Sequence, residues 1–176
     1  AKIYVDFYCS TTDLPFGIDM WVAEKRAEAT EYVAKLGLQD KFLYNSITPW
    51  DKDIKGQVRK LKDLGIKHVV VQAFDDQDQT PGGRLKSLEK LLDQGAGDFE
   101  TVIVDTSVMN LPATSFSLVA NRLIKEKLGL PCGGAYSNGT HMWKEAKTIW
   151  SLDGFKAMDA VVQGMSSAIW SDFNFY

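Results

Sequence analysis

Cysteine is scarce in this chain: Cys9 and Cys132 are its only two, far apart and outside any CxxC pair. They read as small buried hydrophobes rather than a redox couple. No run of Lys or Arg occurs, and 20 basic residues against 23 acidic ones leave a net charge of −3. Such a chain carries no electrostatic footprint for nucleic acid or for an anionic membrane. No apolar run approaches the roughly 20 residues that span a bilayer, and the opening Ala1-Lys2-Ile3-Tyr4-Val5-Asp6 does not read as a signal peptide. The dinucleotide pattern GxGxxG and the phosphate loop GxxxxGK[ST] are missing too. The expectation from these absences is a cytoplasmic protein without nucleic-acid partner or membrane insertion.

What is present is an ordinary globular composition, 45% hydrophobic and 24% charged over 176 residues. The stretch Gly133-Gly134-Ala135-Tyr136-Ser137-Asn138-Gly139-Thr140-His141 stands out. There a short apolar strand meets a polar turn, with small residues that let a ligand approach the backbone and one amide side chain, Asn138, at the strand end.

The same alternation recurs along the chain. Ala1 to Thr12 has apolar residues at helical spacing, although Ile3-Val5-Phe7 also fits a strand; we read the end of a helix. Leu14–Asp19, Phe42–Asn45, His68–Phe74, Thr101–Asp105, Leu130–Asn138 and Ala168–Asp172 read as strands. Helices are expected over Trp21–Leu36, Asp51–Leu64, Arg84–Leu92, Ser115–Leu128 and from Thr140 to about Gly164. Gly37, Gly65 and Gly129 are placed as helix stops. Each strand runs into a carboxylate or carboxamide: Asp19, Asn45, Asp75, Asp105, Asn138 and Asp172, about 26 to 34 residues apart. That is the length of a βα unit, so six consecutive units with a parallel sheet are expected. A doubly wound open sheet gathers its polar strand ends at one switch point. A TIM barrel lines a whole rim with them, and six polar ends of six favour the (β/α)8-type barrel. Such a barrel needs eight strands and usually about 250 residues, so the chain reads as one barrel domain over residues 1–176, short of its first two strands and last helix.

The segments Phe16-Gly17-Ile18-Asp19, Tyr44-Asn45-Ser46-Ile47, Val104-Asp105-Thr106 and Gly129-Leu130-Pro131 through Ser137-Asn138 resemble the tetrahydropterin-dependent methyltransferase family. The nearest branch is typified by the H subunit of tetrahydromethanopterin S-methyltransferase, with bacterial methylcobalamin:tetrahydrofolate methyltransferases beside it. The resemblance runs nearly end to end, in order and spacing, through Ser171-Asp172-Phe173-Asn174-Phe175-Tyr176. It implies a TIM barrel and methyl transfer between N5 of a tetrahydropterin, tetrahydrofolate favoured, and the cobalt of a corrinoid (cobalamin) carried by a partner protein. It also implies that Asp19, Asn45 and Asp105 bind the pterin ring and that Asn138 acts at N5. Asp172 is a further candidate on that rim, and a homo-oligomer is the expected assembly.

The chemistry suits the residue types. An aminopyrimidinone edge offers several N–H donors and a carbonyl, and two carboxylates with a carboxamide match it. Each unmet polar group costs about 1–3 kcal/mol, which discriminates against other heterocycles. A methyl group on N5 leaves readily only when N5 is protonated, and Asn138 can accept a hydrogen bond from that proton. No metal ligand is expected from His68 or His141, hence a corrinoid that arrives on its partner.

Plainer readings stand beside these. Asp19, Asn45 and Asp105 could cap the helices that follow them. Asn138-Gly139-Thr140 is a glycosylation sequon, and Asp75-Asp76-Gln77-Asp78 resembles the start of a calcium loop, without the Glu that completes one. Trp143 and Trp150 lie on one helical face as core residues would. Asp172 fits rim chemistry or structure equally, and the aromatic terminus calls for something that covers it. Two other functions fit a chain of this kind: a pterin enzyme of dihydropteroate-synthase-like type, which would need a phosphate site, and a non-catalytic subunit that docks a corrinoid protein.

Overall fold

In the computed structural model, which describes residues 2–176, helices and strands alternate along the chain. They are α1 (Lys2–Thr11), β1 (Phe16–Asp19), α2 (Ala23–Lys35), β2 (Phe42–Ile47), α3 (Ile54–Asp63), β3 (His68–Gln72) and α4 (Pro81–Leu91). After them come β4 (Thr101–Asp105), α5 (Ala113–Leu128), β5 (Cys132–Gly134), α6 (Asn138–His141), α7 (Ala146–Ala168) and β6 (Phe173–Asn174). Among the described residues the six strands form one sheet in chain order, β1-β2-β3-β4-β5-β6. β1–β2, β2–β3, β4–β5 and β5–β6 run parallel, with Asp19 opposite Asn45 and Asp105 opposite Gly133. Parallel neighbours need a crossover, and the intervening helices supply it. The α/β class and six parallel-sheet strands are as the sequence predicts, with a helix after each of the first five strands.

Two compact units divide the chain. One holds the residues up to Val71 together with Lys90–Val102; the other holds Gln72–Glu89 and Ile103–Tyr176. In the first, α2 buries Arg26, Ala29, Thr30 and Val33, and α3 buries Ile54, Val58 and Leu61, each a stripe at helical spacing. Asp53 caps α3 by accepting from the Gly56 amide at 2.9 Å. Phe42, Tyr44 and Ile47 are buried from β2, and Val69, Val70 and Val71 are all buried, as in a strand covered on both faces. In the second unit, α5 buries Ala113, Ser117, Ala120, Asn121 and Ile124. Gly129 ends it in the left-handed region at φ 68°, where a Cβ would be strained. Val108, Leu118, Tyr136 and Val162 form a buried cluster beside it.

Three boundaries differ from expectation. The strand expected over Leu130–Asn138 is only Cys132–Gly134, because the chain turns at once and the Asn138 amide donates to the Ala135 carbonyl at 3.0 Å. Asn138 therefore opens α6 instead of closing a strand. The strand expected over Ala168–Asp172 is not formed: α7 runs through Ala168, and β6 begins at Phe173. The small residues near its end suit a helix, since Ser166 and Ser167 turn their hydroxyls back onto the carbonyls of Val162 and Gln163. Last, the single helix expected from Thr140 is two, α6 and α7, with Ser151 non-helical at φ 61° inside α7. No helix among the described residues is long and apolar enough to cross a membrane.

Candidate active site

In the first unit, β1 and β2 bring two of the expected side chains together. Asp19 ends β1 and is paired in register with Asn45, next to the point where the β2–β3 ladder shifts between Asn45 and Ile47. Gly17 lies close over β2, where a Cβ would stand 3.2 Å from the Leu43 carbonyl oxygen. Asp19 is exposed and Asn45 half-buried. Neither caps a helix: the residue before α2 is Val22, with no side-chain cap, and α3 is capped by Asp53. Behind them lies a knot of buried polar groups. Arg26 donates to the Tyr44 hydroxyl at 2.8 Å, to Asp51 at 2.8 and 3.0 Å, and to the Met20 carbonyl at 3.2 Å. Gln57 donates to the same hydroxyl and to Asp51. This knot ties the residue after Asp19 and the residue before Asn45 to one buried guanidinium.

In the second unit, Asp105 ends β4 half-buried, and its carboxylate accepts from the Ser107 amide at 2.7 Å. Ser107 is held at φ 52°, uncommon for a non-glycine residue. The space above the acid is kept by Gly134, where a Cβ would stand 3.2 Å from Asp105 Oδ1. Asp105 does not cap α5 either; Pro112 precedes that helix, and Asn110 accepts from the Ala113 amide at 2.9 Å.

Below Asp105 a chain of side-chain hydrogen bonds links β4, α5 and the segments after β5 and α7, while buried Ser107 Oγ has no partner among the described residues. Thr106 donates to Asn121 Oδ1 at 2.7 Å, and Asn121 donates to the Tyr136 hydroxyl at 2.7 Å and to Ser171 Oγ at 3.1 Å. Burial pushes the Tyr136 phenol up, opposed by its bonds to Ser171 and Asn121, while the charge of Asp105 pushes the same way as burial.

Asn138 is half-buried at the start of α6, and its carboxamide has no hydrogen-bond partner among the described residues. His141, one turn on, places Nδ1 3.0 Å from the Ser137 carbonyl and 3.6 Å from Asp159. Asp172 lies elsewhere in the fold from the position expected of it. It precedes β6, at the strand's entry, where it pairs with Lys125 at 2.7 Å and accepts from the Cys132 amide at 2.9 Å. Burial raises its carboxyl, but Lys125 and the Cys132 amide outweigh that and hold it below the usual range. Cys132 itself is pushed up to about 12, mainly by burial, so its thiol stays protonated. Cys9 is only half-buried.

The sequence model of the family described as the tetrahydromethanopterin S-methyltransferase MtrH subunit matches residues 1–176. The chain belongs to the MtrH family. The H subunit of tetrahydromethanopterin S-methyltransferase from Methanosarcina acetivorans is 30% identical over 151 residues, 80% of this chain and 47% of the relative. Its counterpart from Methanopyrus kandleri is 28% identical over 151 residues, 80% of this chain and 46% of the relative. The H subunit of a putative mtx methyltransferase from Methanosarcina barkeri is 28% identical over 150 residues, with coverages of 80% and 48%. This MtrH-family chain thus spans about half the length of the curated relatives it matches.

The structure adds residues that sequence reasoning missed in this MtrH-family chain. Arg84 is fully buried in α4 and donates to the carbonyls of Thr106 at 2.8 Å, Ser107 at 3.2 Å and Gln79. Its signal was its spacing: Arg84, Leu88 and Leu91 share one buried helical stripe, a place where a charge demands an explanation. Asn121 gives the same signal on the buried stripe of α5.

The remaining expectations fall on plainer structure. Asp75 accepts from the Gln77 and Asp78 amides, and Asp78 from the Thr80 amide and hydroxyl, so that loop caps itself. Trp143 and Trp150 stack edge to face with centroids 4.8 Å apart. For a corrinoid, the donor set is the relevant test. His68 enters β3 with Nδ1 2.9 Å from Thr101 Oγ1, and no cluster of metal-binding side chains occurs among the described residues.

Proposed function

We propose that this chain is the pterin-binding part of a methyltransferase that moves a methyl group between N5 of a tetrahydropterin and the cobalt of a corrinoid held by a partner protein. One observation carries the reading. Asp19 and Asp105 end parallel strands, Asn45 lies two residues before the end of β2, Asn138 follows β5 by four residues, and none of them caps the helix that follows. Among the described residues the side chains of Asp19, Asn45 and Asn138 stay out of the fold's own hydrogen bonding, and Asp105 is aimed by the Ser107 amide, so this edge offers polar groups to a ligand. Asp19, Asn45 and Asp105 take the N–H donors of the aminopyrimidinone edge and fix the ring plane. Asn138 accepts a hydrogen bond from protonated N5 and so stabilises charge that grows with reaction. The corrinoid supplies cobalt as methyl donor or acceptor. A corrinoid carried by a partner protein is what the family resemblance implies.

Tetrahydromethanopterin is the carrier printed in the relatives' names, and the sequence's leaning toward tetrahydrofolate has no independent support. Asp172 stays outside the binding set, since its carboxylate serves Lys125 and Cys132. Closure of the sheet into a TIM barrel by further βα units, homo-oligomeric assembly and a cytoplasmic location belong to the same proposal.

Calorimetry on the intact protein tests it, with tetrahydromethanopterin and tetrahydrofolate titrated separately. We expect binding of at least one, lost by about a hundredfold or more in Asp105→Ala, the scale for removal of a charge-assisted pair. Wild-type affinity in that variant would overturn the assignment. Methyl transfer from free methylcobalamin distinguishes an enzyme from a docking subunit, which would show none.

A further inference from the structure

We infer that Arg84 is a positioning residue that acts through Asp105: it fixes the Ser107 peptide whose N–H aims the carboxylate, and it supplies the buried positive charge that the carboxylate answers. The inference rests on the proposed pterin site and deepens it, since no reading of the sequence gave Arg84 a role.

The geometry forms a short relay. Arg84 Nη2 donates to the Ser107 carbonyl at 3.2 Å and Nε to the Thr106 carbonyl at 2.8 Å, while the Ser107 amide donates to Asp105 Oδ1 at 2.7 Å. The same guanidinium reaches the Gln79 carbonyl, so the loop after β3 and the loop after β4 hang on one side chain. Ser107 sits at φ 52°, a backbone state that a serine keeps only where its surroundings impose it. Here both sides of the residue are gripped, by Asp105 at its N–H and by Arg84 at its carbonyl.

The charge needs a reason of its own. Three carbonyls take three separate nitrogens of the guanidinium, more than the two N–H donors of a glutamine amide. The fork brings its charge into a site with no exposed surface, where desolvation is costly unless an anion answers it. Burial pulls Arg84 below its usual value, and the charge of Asp105 pushes back. That coupling is mutual, so the cation favours the ionised form of Asp105 in turn. Phe74, with Arg84 5.6 Å from its ring centroid, covers the cation and adds no charge. Arg84 from α4 and Tyr136 from the segment after β5 both feel the charge of Asp105.

The experiment measures pterin affinity against pH on the intact protein, with tetrahydromethanopterin as the probe; the ligand's own titration is common to every arm. Arg84→Gln keeps a donor and drops the charge, and its loss of affinity on acidification should set in about one pH unit higher than in wild type. Arg84→Lys keeps the charge and drops the planar fork. It should bind about five- to twentyfold more weakly at neutral pH with the acid limb unmoved. Affinities within twofold of wild type in both variants, or a lower melting temperature with an unmoved limb in Arg84→Gln, would overturn the inference. Should both variants fail to fold, hydrogen exchange on the wild-type protein decides. The Ser107 amide should exchange at least about tenfold more slowly than the unbonded amides of its loop, because Asp105 and Arg84 hold its peptide; exchange at the unprotected rate would sink the relay. Wild-type protein that binds no pterin would instead remove the proposed function itself. Loss of binding in Asp105→Ala with none of the other variants affected would remove only the role of Arg84.

Discussion

Asp105 and Asp19 are the same residue type at the same point of a βα unit, and the fold treats them in opposite ways. Asp105 is half-buried, restrained by the Ser107 amide, overlain by Gly134 and backed by a buried cation and a paired network through Thr106, Asn121 and Tyr136. Asp19 is exposed, with Asn45 beside it and no hydrogen bond of its own among the described residues. Its restraint is indirect, through the Arg26–Asp51–Tyr44 knot, which holds the carbonyl of Met20 after it and the hydroxyl of Tyr44 on the neighbouring strand. A carboxylate fixed before the ligand arrives loses little freedom on binding, whereas an exposed one must be ordered by the ligand. Asp105 should therefore set affinity, and Asp19 should tune it.

Substitution of each acid by its amide breaks or sharpens that contrast most directly. Asp105→Asn should weaken pterin binding about a hundredfold and Asp19→Asn about fivefold, read as Kd by calorimetry; equal losses would erase the distinction. Removal of the support beneath Asp105 comes next. Asn121→Ala takes one partner each from Thr106 and Tyr136, which keep Ser117 and Ser171, and leaves a buried gap, so a denaturant melt should show about 1–2 kcal/mol lost. Gly134→Ala is subtler, because its new methyl group would meet Asp105 Oδ1 at 3.2 Å. Affinity should fall about tenfold while the melt barely moves, a change at the acid rather than in the core.

The smallest effect concerns the third acid, Asp172, whose folded carboxyl is held below its ordinary value of 3.8. A depressed carboxylate adds stability above that value and loses it as pH falls through the folded value. Wild type should accordingly lose about 0.5 kcal/mol more than Asp172→Asn on acidification below pH 4, with pterin affinity the same in both. A drop in affinity in that variant would return Asp172 to the binding set.

Much of this was legible from residue pattern. Thr101–Asp105 is the strand the sequence predicts, because Val102, Ile103 and Val104 leave no helical alternative before the acid. The glycines at 37, 65 and 129 end their helices as read, each at positive φ. The end of the chain was not legible, since Val161, Val162, Met165 and Ile169 satisfy a helix face or a buried strand equally. Tertiary contact between α7 and β6 settles it as helix, and so moves Asp172 to the wrong end of its strand. At the site, the acids could be found because each closes an apolar run. Arg84 could not: it stands at a helix start, where a charge is ordinarily solvated, and only the register with Leu88 and Leu91 gives it away.

The break of β5 after three residues has one more effect. Position 138 falls instead on the first turn of a short helix, where its backbone bonds Ala135 and Met142, whereas the backbones of Asp19 and Asp105 are set by sheet register. Ligand recognition thereby draws on two kinds of scaffold, strand ends and a helix start.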